Sequence, residues 1–132
     1  MARKISRKAI IKKADKVFSE YIRRRYANHA EVVSCFTCGK KGHWKTMDAG
    51  HFMSRKFYST RWNEENVQVQ CKGCNIFRSG EQYMFGLQLD RKYGPGKSEE
   101  LLQKSRSLLK LSTPDLIDLI DFFKAKLVKL KK

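Results

Sequence analysis

An α+β fold is predicted, in which four cysteines staple a small core of short strands, with a basic helix before it and further helices after it. Three observations predict it. The cysteines fall in two tight pairs, Cys35-Phe36-Thr37-Cys38 and Cys71-Lys72-Gly73-Cys74, with thirty-two residues between the pairs. Two runs within or beside that interval, residues 47–53 and 67–70, have the make-up of short strands, with Val67 and Val69 on one face. Outside the cysteines, apolar residues recur at three- and four-residue steps, the period of amphipathic helices.

Size and charge bound the rest. A chain of 132 residues is ordinarily one domain with a modest core. With 41% apolar and 11% aromatic residues, it is predicted to fold and not to remain disordered. It carries 29 Lys and Arg against 13 Asp and Glu, a net charge of +16. Such an excess repels itself in a compact state and calls for a polyanionic partner. Nucleic acid is the first candidate and an anionic membrane surface the second. No apolar run reaches the roughly 18 residues of a membrane span, and no apolar signal region follows Met1. The expected location is therefore a reducing compartment, the cytoplasm. There the cysteines read as metal ligands, with two disulfides as the alternative. Four thiolates at this spacing suit tetrahedral Zn²⁺, which would close over the long insert as a structural clamp.

The chain divides into residues 1–30, a basic helix; 31–94, the zinc-bound core with the helix that follows; and 95–132, a helical region. In the first part Ser6 is a plausible N-cap, and Ile10, Ala14, Val17, Phe18, Tyr21, Ile22 and Tyr26 mark an apolar face. Ten basic residues stand there against Asp15 and Glu20, a local +8. Lys12, Lys16, Arg23 and Arg24 are the expected phosphate contacts on this helix. In the core, Gly39 and Gly42 are expected to turn the chain after the first cysteine pair. A polar connection with Arg55, Tyr58, Arg61 and Trp62 joins the two strands, and a helix is expected to start around Asn75. Arg55, Arg61 and Lys72 are further phosphate contacts. Tyr58 and Trp62 are read either as core or as platforms for opened bases.

Next, Ser79 and Gln82 have the spacing of a capping box for a helix over 81–93, which Gly94-Pro95-Gly96 would stop. Ser98 is expected to cap a helix running through Leu101, Leu102, Leu108 and Leu109. Thr113-Pro114-Asp115 opens the last helix. Its seam of Leu116, Ile120, Phe123, Leu127 and Leu130 suits packing on the same chain or pairing in a homodimer.

Hydrolysis of a phosphodiester needs a base to take a proton from water and a cation to neutralise charge on the phosphate. His51 can be the base. Asp48 and Asn75 offer the hard oxygen ligands that Mg²⁺ or Mn²⁺ prefers. Asn66 is expected to orient the imidazole by bonding across the strand pair, and Cys74 to fix the adjacent Asn75. His43 is a possible alternative zinc ligand, less favoured because four cysteines already close a tetrahedron.

His51, Asn66 and Asn75, set against the cysteine pairs, resemble the HNH motif of the ββα-metal nucleases. The two cysteine pairs resemble the structural zinc of members such as the phage junction resolvase endonuclease VII. The closer resemblance is to the NinG/Rap recombination proteins of lambdoid phages. It runs from Phe18-Ser19-Glu20-Tyr21-Ile22-Arg23 through Asp48-Ala49-Gly50-His51-Phe52 and Trp62-Asn63-Glu64-Glu65-Asn66-Val67 to Cys71-Lys72-Gly73-Cys74-Asn75 and Ser79-Gly80. The resemblance implies a Mg²⁺-dependent phage or prophage endonuclease, often dimeric, acting on branched DNA such as Holliday junctions and D-loops. It implies 5′-phosphate and 3′-hydroxyl products. Many members of the superfamily place an acidic metal ligand directly before the histidine. Here that position is Gly50, which leaves Asp48, or Glu64, Glu65 or Glu81, to supply the carboxylate. Two other readings stand beside this one: a non-catalytic zinc-stapled nucleic-acid binder, and a sequence-specific HNH nuclease.

Overall fold

The computed structural model describes residues 5–131; Arg3, Lys4 and Lys132 lie outside them. Helix α1 (Arg7–Arg24) begins at Ser6, whose hydroxyl accepts the Ala9 N–H at 3.1 Å. A two-stranded hairpin follows, β1 (Val32–Ser34) and β2 (Lys41–His43), then a second antiparallel pair, β3 (Asp48–His51) and β4 (Val67–Gln70). The connection between β3 and β4 contains a short helix, α2 (Tyr58–Arg61). After β4 the chain makes a single π-helical turn, Gly73–Phe77, and then enters α3 (Gln82–Tyr93), α4 (Lys97–Ser105) and α5 (Thr113–Leu130). The α+β class is as the sequence predicts.

The apolar stripes of α1 and α5 face each other. Ile10, Ala14, Phe18 and Ile22 bury against Leu116, Ile120 and Phe123, joined by Trp62 and by Val67 of β4. The Phe18 and Phe123 rings meet edge to face, centroids 4.8 Å apart. The two C-terminal ends line one cavity, which Arg24, Arg25, Leu130 and Lys131 share, so the helices run side by side in the same direction. Leu116, Ile120 and Phe123 of the α5 seam are thus covered by the chain's own first helix, as in the same-chain alternative; Leu127 is buried and Leu130 stays exposed. A second core gathers Val33, Trp44, Met47 and Val69 around Cys35, Cys71 and Cys74. Because β4 places Val67 in one core and Val69 in the other, the strand ties the cores together. A third cluster, Phe85, Leu89 and Leu101, packs α3 on α4.

Several expected details differ. Gly39 does turn the first cysteine loop, at φ +80°, but Gly42 lies in β2 opposite Val33. Ser79 does not cap α3. It and Glu81 both adopt left-handed backbone, Glu81 precedes the helix, and Gln82 reaches the His51 carbonyl at 3.4 Å. Three successive residues, Ser79, Gly80 and Glu81, take positive φ there, and that backbone removes Ser79 from the capping position. Ser98 lies inside α4, where Asp90 of α3 accepts its N–H at 2.8 Å and its hydroxyl at 3.2 Å. The cap is thus supplied from a neighbouring helix. Helix α4 stops at Ser105, because the Ser105 and Ser107 hydroxyls bond back to the carbonyls of Leu102 and Lys104. Leu108 and Leu109 are therefore exposed and lie off the helix. Ser112 and Asp115 form a reciprocal capping box at the start of α5.

Candidate functional site

The four cysteine sulfurs lie within 4.8 Å of one another. A Zn–S distance of about 2.3 Å gives a tetrahedron with sulfur–sulfur edges of about 3.8 Å, and Cys38 Sγ stands 3.7 Å from Cys71 Sγ. Backbone N–H groups of Lys40 and Cys74 point at the sulfurs of Cys38 and Cys71, at 3.5 and 3.4 Å, and Arg78 donates to Cys74 Sγ at 3.1 Å. Donors converging on the sulfurs favour thiolates, so the set fits Zn²⁺. His43 is not among these ligands; it bonds Glu31 at 3.1 Å through Nε2 and accepts the Lys45 N–H through Nδ1.

The cysteine core holds one wall of a cleft of about 680 Å³. Strand β3 presents Asp48 and His51 to it, the turn after Cys74 presents Asn75, and α1 presents Asp15, Ser19 and Arg23. Asp48 and Asn75 are in contact, with the Asn75 carboxamide donating to Asp48 Oδ2 at 3.1 Å. The other carboxylate oxygen takes the Lys72 ammonium at 2.7 Å. Lys72 therefore rests on Asp48, and its cation marks where positive charge is attracted in the cleft. Glu64, Glu65 and Glu81 do not line it: they pair with Lys126, Lys97 and Arg78 respectively.

His51 Nε2 lies 3.0 Å from the Arg61 carbonyl. A carbonyl only accepts, so Nε2 carries the proton and Nδ1 keeps the lone pair that can take one from water. Burial, offset in part by the Arg61 carbonyl and reinforced by the charge of Arg55, holds the imidazole below its ordinary pKa. The ring is therefore neutral at pH 7 and able to act as a base.

Asn66 is fully buried, and its hydrogen bonds do not go to the imidazole. Its side chain accepts the Met53 N–H at 2.8 Å and donates to the carbonyls of Met53 and Thr60 at 3.1 and 3.0 Å. It pins the two ends of the β3–β4 connection and so fixes the Arg61 carbonyl that orients His51. Asp15 assists from α1, and its part is not foreseen by the sequence reading. It receives the Arg61 guanidinium and, at 3.0 Å, the Trp62 indole N–H. The available signal is that Asp15 is an acid on an otherwise basic helix face.

The basic residues divide. Arg23 and Arg55 line the cleft. Exposed Lys12 and Lys16 fall in the same helical row as Ser19 and Arg23, at steps of four, three and four, and continue the cleft's wall along α1. Arg24 points elsewhere, pairing with Glu20 and Glu31 and lying over Trp44. Arg61 is committed to Asp15 and to the Arg55 carbonyl, so it builds the loop. Trp62 and Tyr58 pack on each other within the fold, with Trp62 buried; the reading as core is the one observed.

Gly50 has a steric reason. A Cβ there would stand 1.8 Å from Gln70 Oε1. Gln70 is fully buried and cannot swing aside, because its Nε2 is held by Thr37 Oγ1 at 3.1 Å and the Gly80 carbonyl at 2.9 Å. No carboxylate fits next to His51, and the acid stands at Asp48 instead. Gly50→Ala is expected to lower stability by about 1–3 kcal/mol in urea melts. In a Gln70→Ala background the same change should be nearly neutral; equal losses in both backgrounds would refute this packing account.

Fold and site define a class: an α+β domain with a four-cysteine cluster that fits a metal ion and a cleft holding a neutral histidine beside an acid–amide pair. A family model described as Bacteriophage Lambda NinG protein matches residues 2–132, and the chain belongs to that family. No curated protein and no solved structure matches it. Among the described residues no helix is long and apolar enough to cross a membrane.

Proposed function

We propose that the chain is a metal-dependent DNA endonuclease of HNH type that acts on branched recombination intermediates, Holliday junctions and D-loops among them. The observation that carries this reading is the cleft itself. His51, with its Nε2–H given to the Arg61 carbonyl, shares the cleft with Asp48 and Asn75, which touch each other. His51 Nδ1 takes the proton of the attacking water, and the Arg61 carbonyl steadies the ring as it becomes charged. Asp48 and Asn75 offer the oxygen donors that would hold Mg²⁺ or Mn²⁺. When bound, that ion would neutralise charge on the scissile phosphate and leaving oxygen. Arg23, Arg55 and the row of Lys12 and Lys16 draw in the flanking phosphates, in keeping with the net charge of +16. Strands β3 and β4 with the turn at Asn75 take the place of a ββα-metal core in which the helix is cut to one turn. Membership in a phage family supports recombination as the setting. Symmetric nicks on a four-way junction call for two copies of the chain, paired through a surface other than the α5 seam.

The deciding measurement is nicking of a synthetic four-way junction in Mg²⁺. Wild type is expected to cut it and to release 5′-phosphate ends. Tight binding without any cutting, by a zinc-loaded protein, would leave the non-catalytic binder as the function. Cutting of linear duplex at one sequence would favour the sequence-specific nuclease.

A further inference from the structure

We propose that Phe77, flanked by Ile76 and Tyr83, is a stacking wedge that reads an unstacked base beside the cleft and so favours opened DNA over closed duplex. The inference rests on the DNA-binding part of the function proposed above. Asn75, Ser79, Gly80 and Gln82 all line the cleft, so the segment that carries them forms its rim. On that rim Phe77 is 82% exposed, Tyr83 80% and Ile76 57%.

The exposure is not that of a loose loop. Cys74, three residues before Phe77, is fully buried in the cysteine core. Arg78, directly after Phe77, donates its side chain to Cys74 Sγ at 3.1 Å and its N–H to the Gly73 carbonyl at 2.9 Å. The Gly80 N–H closes on the Cys74 carbonyl at 2.8 Å. A stapled turn thus holds an aromatic ring outward, where apolar area in water is unfavourable.

Its surroundings specify the occupant. Arg55 lines the cleft and the chain carries a net charge of +16, while Lys72 and Arg78 beside the turn are paired with Asp48 and Glu81; the partner is therefore anionic overall and must also present flat apolar faces to the turn. Nucleic acid does both, but closed duplex hides its base faces by stacking. They become available at a branch point, a nick or a frayed end. Phe77 follows Asn75 by two residues, within about 7 Å along the chain. Two residues apart on one helical turn, Asn75 and Phe77 face different sides, so the ring meets a base turned out over the rim and not one lying in the cleft.

The test compares binding of a four-way junction, with 2-aminopurine at the branch point, against a linear duplex of the same length. It uses zinc-loaded protein carrying His51→Ala, so that no substrate is cut. Adding Phe77→Ala should weaken junction binding about tenfold, within the range of one lost base stack, and change duplex binding less than twofold. It should also abolish 2-aminopurine quenching, and Phe77→Trp should preserve both. An unchanged thermal melt confirms the fold of each variant. Equal weakening on both DNAs, or no change on either, overturns the wedge. A change in oligomeric state without a change in DNA binding would overturn it in favour of a protein contact. The nuclease reading is judged separately, by cutting with Phe77 variants that retain His51. Cutting without a Phe77 effect on binding sinks the wedge alone, while a Phe77 effect without cutting by wild type sinks only the nuclease.

Discussion

Cys71→Ser is expected to unfold the molecule, with the cooperative far-ultraviolet melt of the zinc-loaded wild type lost at 25 °C. Structural zinc in a four-ligand site contributes about 10–16 kcal/mol, while a whole domain is ordinarily stable by only about 5–15 kcal/mol. Cys71 directly follows β4, and its own core contains little apolar material besides Val33, Trp44, Met47 and Val69. Losing the metal therefore removes most of what holds that core. The damage spreads because β4 carries Val67 into the core between α1 and α5. The Phe36 N–H bond to the Val69 carbonyl, at 2.8 Å, is broken along with it. Full chelation of wild type should have the same result. A melt that survives both treatments would show that the thiols are not a folding staple.

His51→Ala is expected to reduce Mg²⁺-dependent junction nicking by at least about a hundredfold, as for loss of a positioned base, while junction binding stays within a few-fold. The pH profile gives an independent reading. Burial lowers the His51 pKa, so the base remains deprotonated at pH 7 and the acid limb of kcat/KM should fall below the ordinary histidine value of about 6.5. Arg55→Ala removes a positive charge that disfavours imidazolium and should move that limb upward. For stability the sign follows from the same shift. The unfolded chain protonates His51 first as pH falls, so this group's contribution is intact above about 6.5 and declines from there down through the folded-state pKa. An acid limb above 6.5, or full activity of His51→Ala, would remove His51 as the base.

Much of the site is legible in the sequence because its chemistry is local. Two Cys-x-x-Cys pairs announce a metal, and His51, Asp48 and Asn75 lie within a few residues of an element end or a ligand. Strands β3 and β4 are legible from composition. What stays hidden is set by distant partners. The β1–β2 hairpin is too short and its residues, Lys41-Gly42-His43, too polar to carry a strand pattern. Asn66 reads as a partner for the imidazole, whereas its bonds go to the loop that presents the Arg61 carbonyl. Arg61 reads as a phosphate contact because nothing local reveals Asp15, on α1, as its counter-ion. The caps of α3 and α4 fail as local rules because a run of left-handed backbone and a side chain from another helix decide them.

The pairing of α1 with α5 has a consequence for how the chain is made. Phe18 leaves the ribosome about a hundred residues before Phe123, so until then its greasy stripe has only Trp62 and Val67 of its native cover. The zinc-held middle can set first with α1 laid loosely on it, and that helix gains its full cover only when α5 arrives.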